Sequence, residues 1–179
     1  MIYFIADPHF GHTNILKFSN RPFKTIEEHD ESLMKAWNHR VGNNDIIYIL
    51  GDLTMSKDGE YANKLLSKLN GRKILIKGNH ESYLNDPKFD KSNYELITDY
   101  LTFNYQKTKF VLFHYPILEW DGFFGRSLHL YGHVHNTRLD YFQSTLPRRA
   151  INVGVDLFNY APVSIDELIE HNDPEFKPL

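Results

Sequence analysis

The sequence predicts an α/β fold with a mixed or two-sheet core and helices packed outside it. Three observations lead there. The first half alternates short apolar runs with amphipathic stripes, the pattern of parallel strands joined by helices. The second half holds several short strand candidates separated mostly by polar turns. Five apolar runs end on metal-binding residue types: MIYFIADPH, DIIYILGD, KILIKGNH, KFVLFHYP and SLHLYGHVH. Strand ends bring residues distant in sequence to one face of a sheet, where they can share ions.

Tyr3 to Ala6 reads as a short buried strand, and FGHTNILKF after it as a brief helix through Ile15, Leu16 and Phe18. Thr25 and Glu28 stand at capping-box spacing before a helix to Arg40, with Ile26, Leu33, Met34 and Trp37 near one stripe. Gly42 and Asn43 mark a turn into a strand at Ile46 to Leu50. Glu60 to Leu69 forms a second helix through Tyr61, Leu65, Leu66 and Leu69, closed by Gly71 before a strand that includes Ile74 to Ile76. Glu81 to Glu95, polar and interrupted by Pro87, reads as an irregular connection. Leu96 to Tyr105 and Phe110 to Phe113 flank a turn at Gln106 to Thr108, so an antiparallel pair is expected. Leu128 to Tyr131, Leu139 to Phe142 and Ala150 to Val153 read as further strands, and Ser164 opens a last helix through Leu168 and Ile169.

Composition narrows the chemistry. A chain of 179 residues, 41% of them hydrophobic, has the size of one domain with one substantial core, placed at 1–179. Cysteine is absent, which excludes disulfides, thiolate catalysis, zinc-thiolate and iron-sulfur sites. Any metal must be held by nitrogen and oxygen. A net charge of -3 gives no general attraction to nucleic acid or anionic membrane. No stretch approaches the roughly 20 apolar residues of a membrane span, and MIYFIADPH lacks the pattern of an export signal, so a cytoplasmic location without membrane partners is expected.

The strand-end blocks can be read residue by residue. In Asp7-Pro8-His9 an extended backbone would put a carboxylate and an imidazole on the same side, in reach of one ion, although acid-histidine pairs are also common on surfaces. Asp52, after Gly51, offers two oxygens that can bridge neighbouring ions; its ordinary alternative is a helix or turn cap. Asn79 offers an amide oxygen to an ion and keeps an amide nitrogen to donate, while His80 can face substrate as an acid or a stabiliser of phosphate charge. Gly-Asn is also a common turn. His114, and His133 with His135 two residues on, complete the set, the pair again expected to point alike from an extended segment. Several independent accidents of this kind are less plausible together than one two-metal centre.

The ordered set Asp7-x-His9, Gly51-Asp52, Gly78-Asn79-His80-Glu81, His114 and Gly132-His133-x-His135 closely resembles the calcineurin-like metallophosphoesterase superfamily, in a small single-domain form of bacterial or phage type. The resemblance implies a four-layer αββα sandwich of two mixed sheets with outer helices, and phosphate-ester hydrolysis at the sheets' shared edge. It also implies one ion on Asp7, His9, Asp52 and His135, and a second on Asp52, Asn79, His114 and His133. Glu81 stands where aspartate is commoner in that superfamily, with a bond to His80 as one possible role. Two divalent ions about 3.5 to 4 Å apart would bridge a hydroxide and clamp phosphate oxygens during in-line attack. Mn²⁺ is the expected leading activator, with Fe, Zn, Ni or Co also suited, since ligand types alone do not identify the native metal.

The expected activity is a phosphodiesterase acting on a small phosphorylated or nucleotide-like substrate, with His80 and Asp52 as the catalytic pair. A phosphomonoesterase or nuclease would use the same centre, and a noncatalytic metal-stabilised module would explain the ligands but not His80. Extended duplex binding is disfavoured by charge. Around the mouth, His12 and Asn14 are candidates for substrate contact, with capping or ligand support as their alternative. Arg21 and Arg126 are candidates for phosphate oxygens. Trp120, Phe123 and Phe124 either stack on a ring or pack as a compact loop, and the lack of interleaved basic residues favours the loop. His29, His39, His129 and His171 read as packing or surface residues. Oligomeric state leaves no sequence pattern.

Overall fold

A computed structural model describes residues 1–172. The first sheet contains β1 (Ile2–Ile5), β2 (Ile46–Leu50), β3 (Arg72–Ile76), β4 (Leu96–Thr98) and β9 (Val163–Ser164) in the order β4-β3-β2-β1-β9. β1 to β4 run parallel and β9 lies antiparallel to β1, so the sheet is mixed. The second sheet is β5 (Tyr100–Tyr105), β6 (Thr108–Phe113), β7 (Ser127–Tyr131) and β8 (Ala150–Asn152), in that order, antiparallel between β5 and β6 and parallel beyond. The register sets Ile5 beside Ile49, Leu50 beside Ile76 and Leu112 beside Leu130. The exits of the parallel strands therefore fall at one edge of each sheet.

Alternation along each strand builds two cores. One face of the first sheet, through Ile5, Ile47, Ile49 and Leu75, packs against α2 (Ile26–Arg40) and α3 (Gly59–Ser67), which contribute Leu33, Trp37, Ala62, Leu65 and Leu66. Both helices start on capped termini: Thr25 accepts from the Glu28 amide, and Asp58 from the amides of Glu60 and Tyr61. The other face, through Phe4, Tyr48, Leu50 and Ile76, meets Phe110, Leu112, Leu128, Leu130 and Ile151 of the second sheet. Phe4, Tyr48, Phe103 and Phe110 stack between the sheets with centroids 5.1 to 6.4 Å apart. Val163, Ile165, Leu168 and Ile169 of β9 and α5 (Ile165–Asn172) close this core.

The outer face of the second sheet is covered more thinly. Trp120 lies over His129, 5.3 Å between centroids, and its indole donates to Ser127 Oγ at 2.8 Å. Trp120 and Phe123 thus pack into a compact loop, while Phe124 is 90% exposed. The short helix α4 (Leu139–Thr145) completes this layer beside a cavity it shares with Tyr131, Ala150 and Asn152.

Two expectations fail. Leu139 to Phe142 belongs to α4 and not to a strand: Leu139, Phe142 and Leu146 line one cavity at spacings of three and four, the helical period. The run Leu96 to Tyr105 is not one strand either. It breaks at Asp99, β4 joining the first sheet and β5 the second, so the chain crosses between sheets there. The irregular connection after Glu81 holds two 3₁₀ turns, Ser82–Asn85 and Lys91–Asn93. Among the described residues no helix is long and apolar enough to cross a membrane.

Trp37 is the largest fully buried side chain of the helix-facing core, and its indole N–H donates to the Asn70 carbonyl at 2.9 Å. Trp37→Ala is expected to cost about 3 to 5 kcal/mol of stability, read as a lowered urea midpoint.

Candidate metal centre

The turns leaving the strands are not extended. Asp7, His9, Asp52, His133 and His135 all have left-handed backbones, with φ of 55°, 54°, 57°, 71° and 51°. This replaces the expectation that period-two extension aligns Asp7 with His9 and His133 with His135. Each left-handed residue costs about 1 to 3 kcal/mol unless its surroundings impose it, and Asp and His tolerate the region better than most residues. Here the surroundings do impose it. The carboxylate of Asp7 accepts the His133 amide at 2.8 Å, and the Asn152 side chain donates to the His135 carbonyl at 2.8 Å. Gly132 is required by close approach: a Cβ there would lie 2.5 Å from Ala6 Cβ and 2.6 Å from Asp7 Oδ2.

The side chains converge as two groups. Ligand atoms of Asp7, His9 and His135 lie within 4.8 Å of one another, as do those of Asp52, His114 and His133. Asn79 belongs to the second group, its Oδ1 being 3.1 Å from His114 Nε2 and 3.0 Å from His133 Nδ1. Asp52 stands between the groups. Its Oδ1 accepts the amides of Asn79 (3.0 Å) and His80 (3.1 Å), which turns Oδ2 toward His9, His114 and His80 at 3.6, 3.7 and 3.9 Å.

The polar atoms here lack something. Asp7 Oδ1 and both ring nitrogens of His9 are buried without a hydrogen-bond partner, a rare condition that carries a desolvation cost. Burial, with the Asp52 charge adding to it, pushes the Asp7 carboxyl up to about 8. Burial, followed by His135 and Arg21, drives the His9 imidazole far below its ordinary range and leaves it neutral. Imidazoles, two carboxylates and an amide oxygen form a donor set suited to divalent cations, which would satisfy the orphaned atoms.

The sequence pattern described as calcineurin-like phosphoesterase matches residues 1–176. The chain belongs to that family. The uncharacterized protein MJ1445 of Methanocaldococcus jannaschii is 39% identical to this phosphoesterase over 175 residues, covering 94% of this chain and 89% of that protein. The Gene 66 protein of Mycobacterium phage L5 is 27% identical over 197 residues, covering 94% and 92%. The crystal structure of AQ665 from Aquifex aeolicus, described as a protein of unknown function, superposes with a TM-score of 0.72 at 26% identity, covering 95% of this chain and 98% of that one. Family and ligand groups together support a metal-dependent phosphoester hydrolase with a dinuclear centre.

Arg21 has a different place in this phosphoesterase from the one its sequence suggests. Its side chain is fully buried, and all five of its N–H groups have partners: Asp156 twice, at 2.8 and 3.0 Å, the carbonyls of Pro8 (2.8 Å) and Asp7 (2.7 Å), and His29 Nε2 (2.8 Å). No donor remains for phosphate. Arg21 instead holds the Asp7-Pro8-His9 turn, and Asp156 passes the support on by accepting from His135 Nδ1 at 3.2 Å, leaving Nε2 for an ion. Burial would raise the Asp156 carboxyl, but the hydrogen bonds from His135 and Arg21 outweigh it and hold it below the usual range.

Glu81 also acts elsewhere than expected. Its carboxylate accepts the amides of Asp52, Leu53 and Gly78, tying the exits of β2 and β3 together, with no bond to His80. His114 is set similarly, its Nδ1 lying 2.8 Å from the Leu50 carbonyl of the neighbouring sheet. His12 does reach the mouth, its ring 5.4 Å from His9, whereas Asn14 is exposed at the start of α1 (Ile15–Phe18) and caps nothing with its side chain. Arg126 lies at the wrong end of β7. Five strand residues separate it from the His133 turn, roughly 20 Å at about 3.3 Å per residue. His129 and His29 are buried packing residues, and the His171 side chain lies outside the described residues. Asp156 was missed, although Ala150 to Val153 is a sixth apolar run followed shortly by an acid.

Two outcomes follow from this geometry. Asp156→Asn weakens the support of His135, so affinity for an ion on the Asp7, His9 and His135 group is expected to fall roughly 10 to 100-fold, measured by equilibrium dialysis of Mn²⁺. In chelator, stability is expected to decline as pH rises from about 7.5 to 8.5, above the range in which the unfolded chain's imidazoles release their protons. Asp7 and Glu81, raised to about 8 and about 7, hold protons in the folded state that the unfolded chain has released, while the unfolded chain's His9, with its ordinary value of 6.5, opposes the decline only at the lower edge of this window and has lost its proton above about pH 7.5. Thermal melts would then show a falling Tm in chelator and a flattened slope with Mn²⁺; a rising Tm in chelator contradicts the argument.

Proposed function

We propose that this phosphoesterase is a divalent-metal-dependent phosphodiesterase acting on a small, nucleotide-like substrate, with Mn²⁺ as its leading activator. The observation that supports this most directly is Asp52, whose Oδ2 faces both ligand groups while its Oδ1 is fixed by two amides. On this reading Asp7, His9, Asp52 and His135 hold one ion, and Asp52, Asn79, His114 and His133 the other. Bound there, the ions supply Lewis acidity that makes water nucleophilic at neutral pH and offsets the charge of the phosphate.

The remaining work falls to the chain's own residues. His80 is 35% exposed, its Nε2 3.9 Å from Asp52 Oδ2 and its ring 5.7 Å from His9, so it borders the centre from the open side. From there it donates a hydrogen bond to a phosphate oxygen or a proton to the departing alkoxide. His12 adds a second imidazole at the rim. Asp52 contributes through placement, since its carboxylate fixes the spacing of both groups.

The test uses purified protein with added Mn²⁺. Asp52→Asn and His80→Ala are expected to keep the native circular dichroism spectrum and to lose hydrolysis of bis-p-nitrophenyl phosphate, His80→Ala by roughly 10² to 10⁴-fold. Unchanged hydrolysis in both variants would falsify the assignment. Faster turnover of p-nitrophenyl phosphate than of the diester would reassign the enzyme as a monoesterase.

A further inference from the structure

Beside His133, a cavity of about 410 Å³ opens between the segment after β6 and the start of α4. Tyr115, Pro116, Val134 and Phe142 form its apolar walls, and Thr137 and Arg138 supply the polar ones. The Tyr115 ring stands 4.7 Å from that of His133 and 4.9 Å from that of His114, so the apolar wall begins at two proposed ion ligands. Thr137 Oγ1 is already engaged with the Val134 carbonyl at 2.7 Å. Arg138 is not so engaged. It is exposed, lies over the rings of Tyr141 (4.4 Å) and Phe142 (5.6 Å), and forms no ion pair among the described residues. A second cavity, of about 510 Å³, shares the Val134 and Phe142 walls.

A volume of this size with mostly apolar walls and few polar groups suits a small organic molecule. Its position decides which part of the substrate it meets: a phosphate near His133 would direct an attached group along Tyr115 toward Arg138. An aliphatic group would fill the walls but leave the guanidinium unanswered. A planar heteroaromatic ring can lie against Tyr115 or Phe142 while its edge accepts from Arg138. We propose that this groove binds the organic group of the substrate and selects a single nucleobase-sized ring, Tyr115 and Arg138 being the residues that set the preference. The proposal rests on the phosphodiesterase reading above. Among the described residues Arg138 is the one formal cation lining the groove, which fits one nucleotide unit better than an extended strand.

Two diesters with the same leaving group separate the effects: thymidine 5′-(p-nitrophenyl phosphate) and methyl p-nitrophenyl phosphate, assayed with Mn²⁺. Wild type is expected to favour the nucleoside ester in kcat/KM, and Tyr115→Ala and Arg138→Ala each to shrink that ratio roughly ten-fold, as loss of a base-stacking contact does. No preference in wild type, or ratios unchanged in both variants, overturns the groove. If wild type hydrolyses neither ester, the phosphodiesterase reading fails and the groove is judged by calorimetry on the Mn²⁺-loaded protein. Adenosine monophosphate binding tighter than inorganic phosphate, with the gain lost in both variants, supports it. Equal binding of the two ligands to wild type overturns it.

Discussion

Asp7 and Asp52 are buried where the two sheets meet, close enough for the charge of Asp52 to raise the proton affinity of Asp7, and among the described residues no lysine or arginine side chain is paired with either carboxylate. That arrangement is stable only with protons or cations supplied from outside. The rest of the site answers this constraint. Burial lowers the proton affinity of the imidazoles of His9, His114 and His133, which so offer lone pairs where ammonium groups would have closed the site with a salt bridge. At His135 burial is outweighed by the bond to Asp156 and the nearby carboxylates, which raise it. The cation that is nearby, Arg21, is turned away and hydrogen-bonds the backbone of Asp7 while its charge is matched by Asp156.

The fold makes this concentration of charge possible. Parallel strands deliver their exits to one edge, and two sheets packed face to face bring two such edges together. The seam is narrow. At Gly51, with φ of 82°, a Cβ would lie 2.3 Å from His114 Nδ1, so the first sheet can receive the imidazole of the second only because that side chain is missing. Left-handed turns then tip the ligands inward over the edge, and amide contacts from Glu81 and Asp7 hold the turns in place.

Much of this was legible in the sequence because the ligands sit in short local blocks, each following an apolar run. Asp7, His9, Asp52, Asn79, His114, His133 and His135 each announced themselves by type and position, and the structure gathers them into two groups. The left-handed backbone of five of them was not legible, since Asp and His occupy both extended and left-handed regions. Arg21 and Asp156, 135 residues apart, show no local pattern that pairs them. Arg126 was misplaced because nearness in sequence to His133 hides the length of the intervening strand. In α4 the apolar positions Leu139 and Phe142 are too few to reveal a period, and the change of sheet at Asp99 depends on tertiary packing alone.

The pairing of Arg21 with Asp156 also bears on how the chain matures. All seven proposed ligands have been synthesised once residue 135 is made, yet the brace for the first turn arrives twenty-one residues later, and β9, the edge partner of β1, later still. Until then Arg21 has no carboxylate to neutralise it and β1 has a bare edge. The first turn is therefore completed by residues from the far end of the chain, so the ligand set precedes its own support in the order of synthesis.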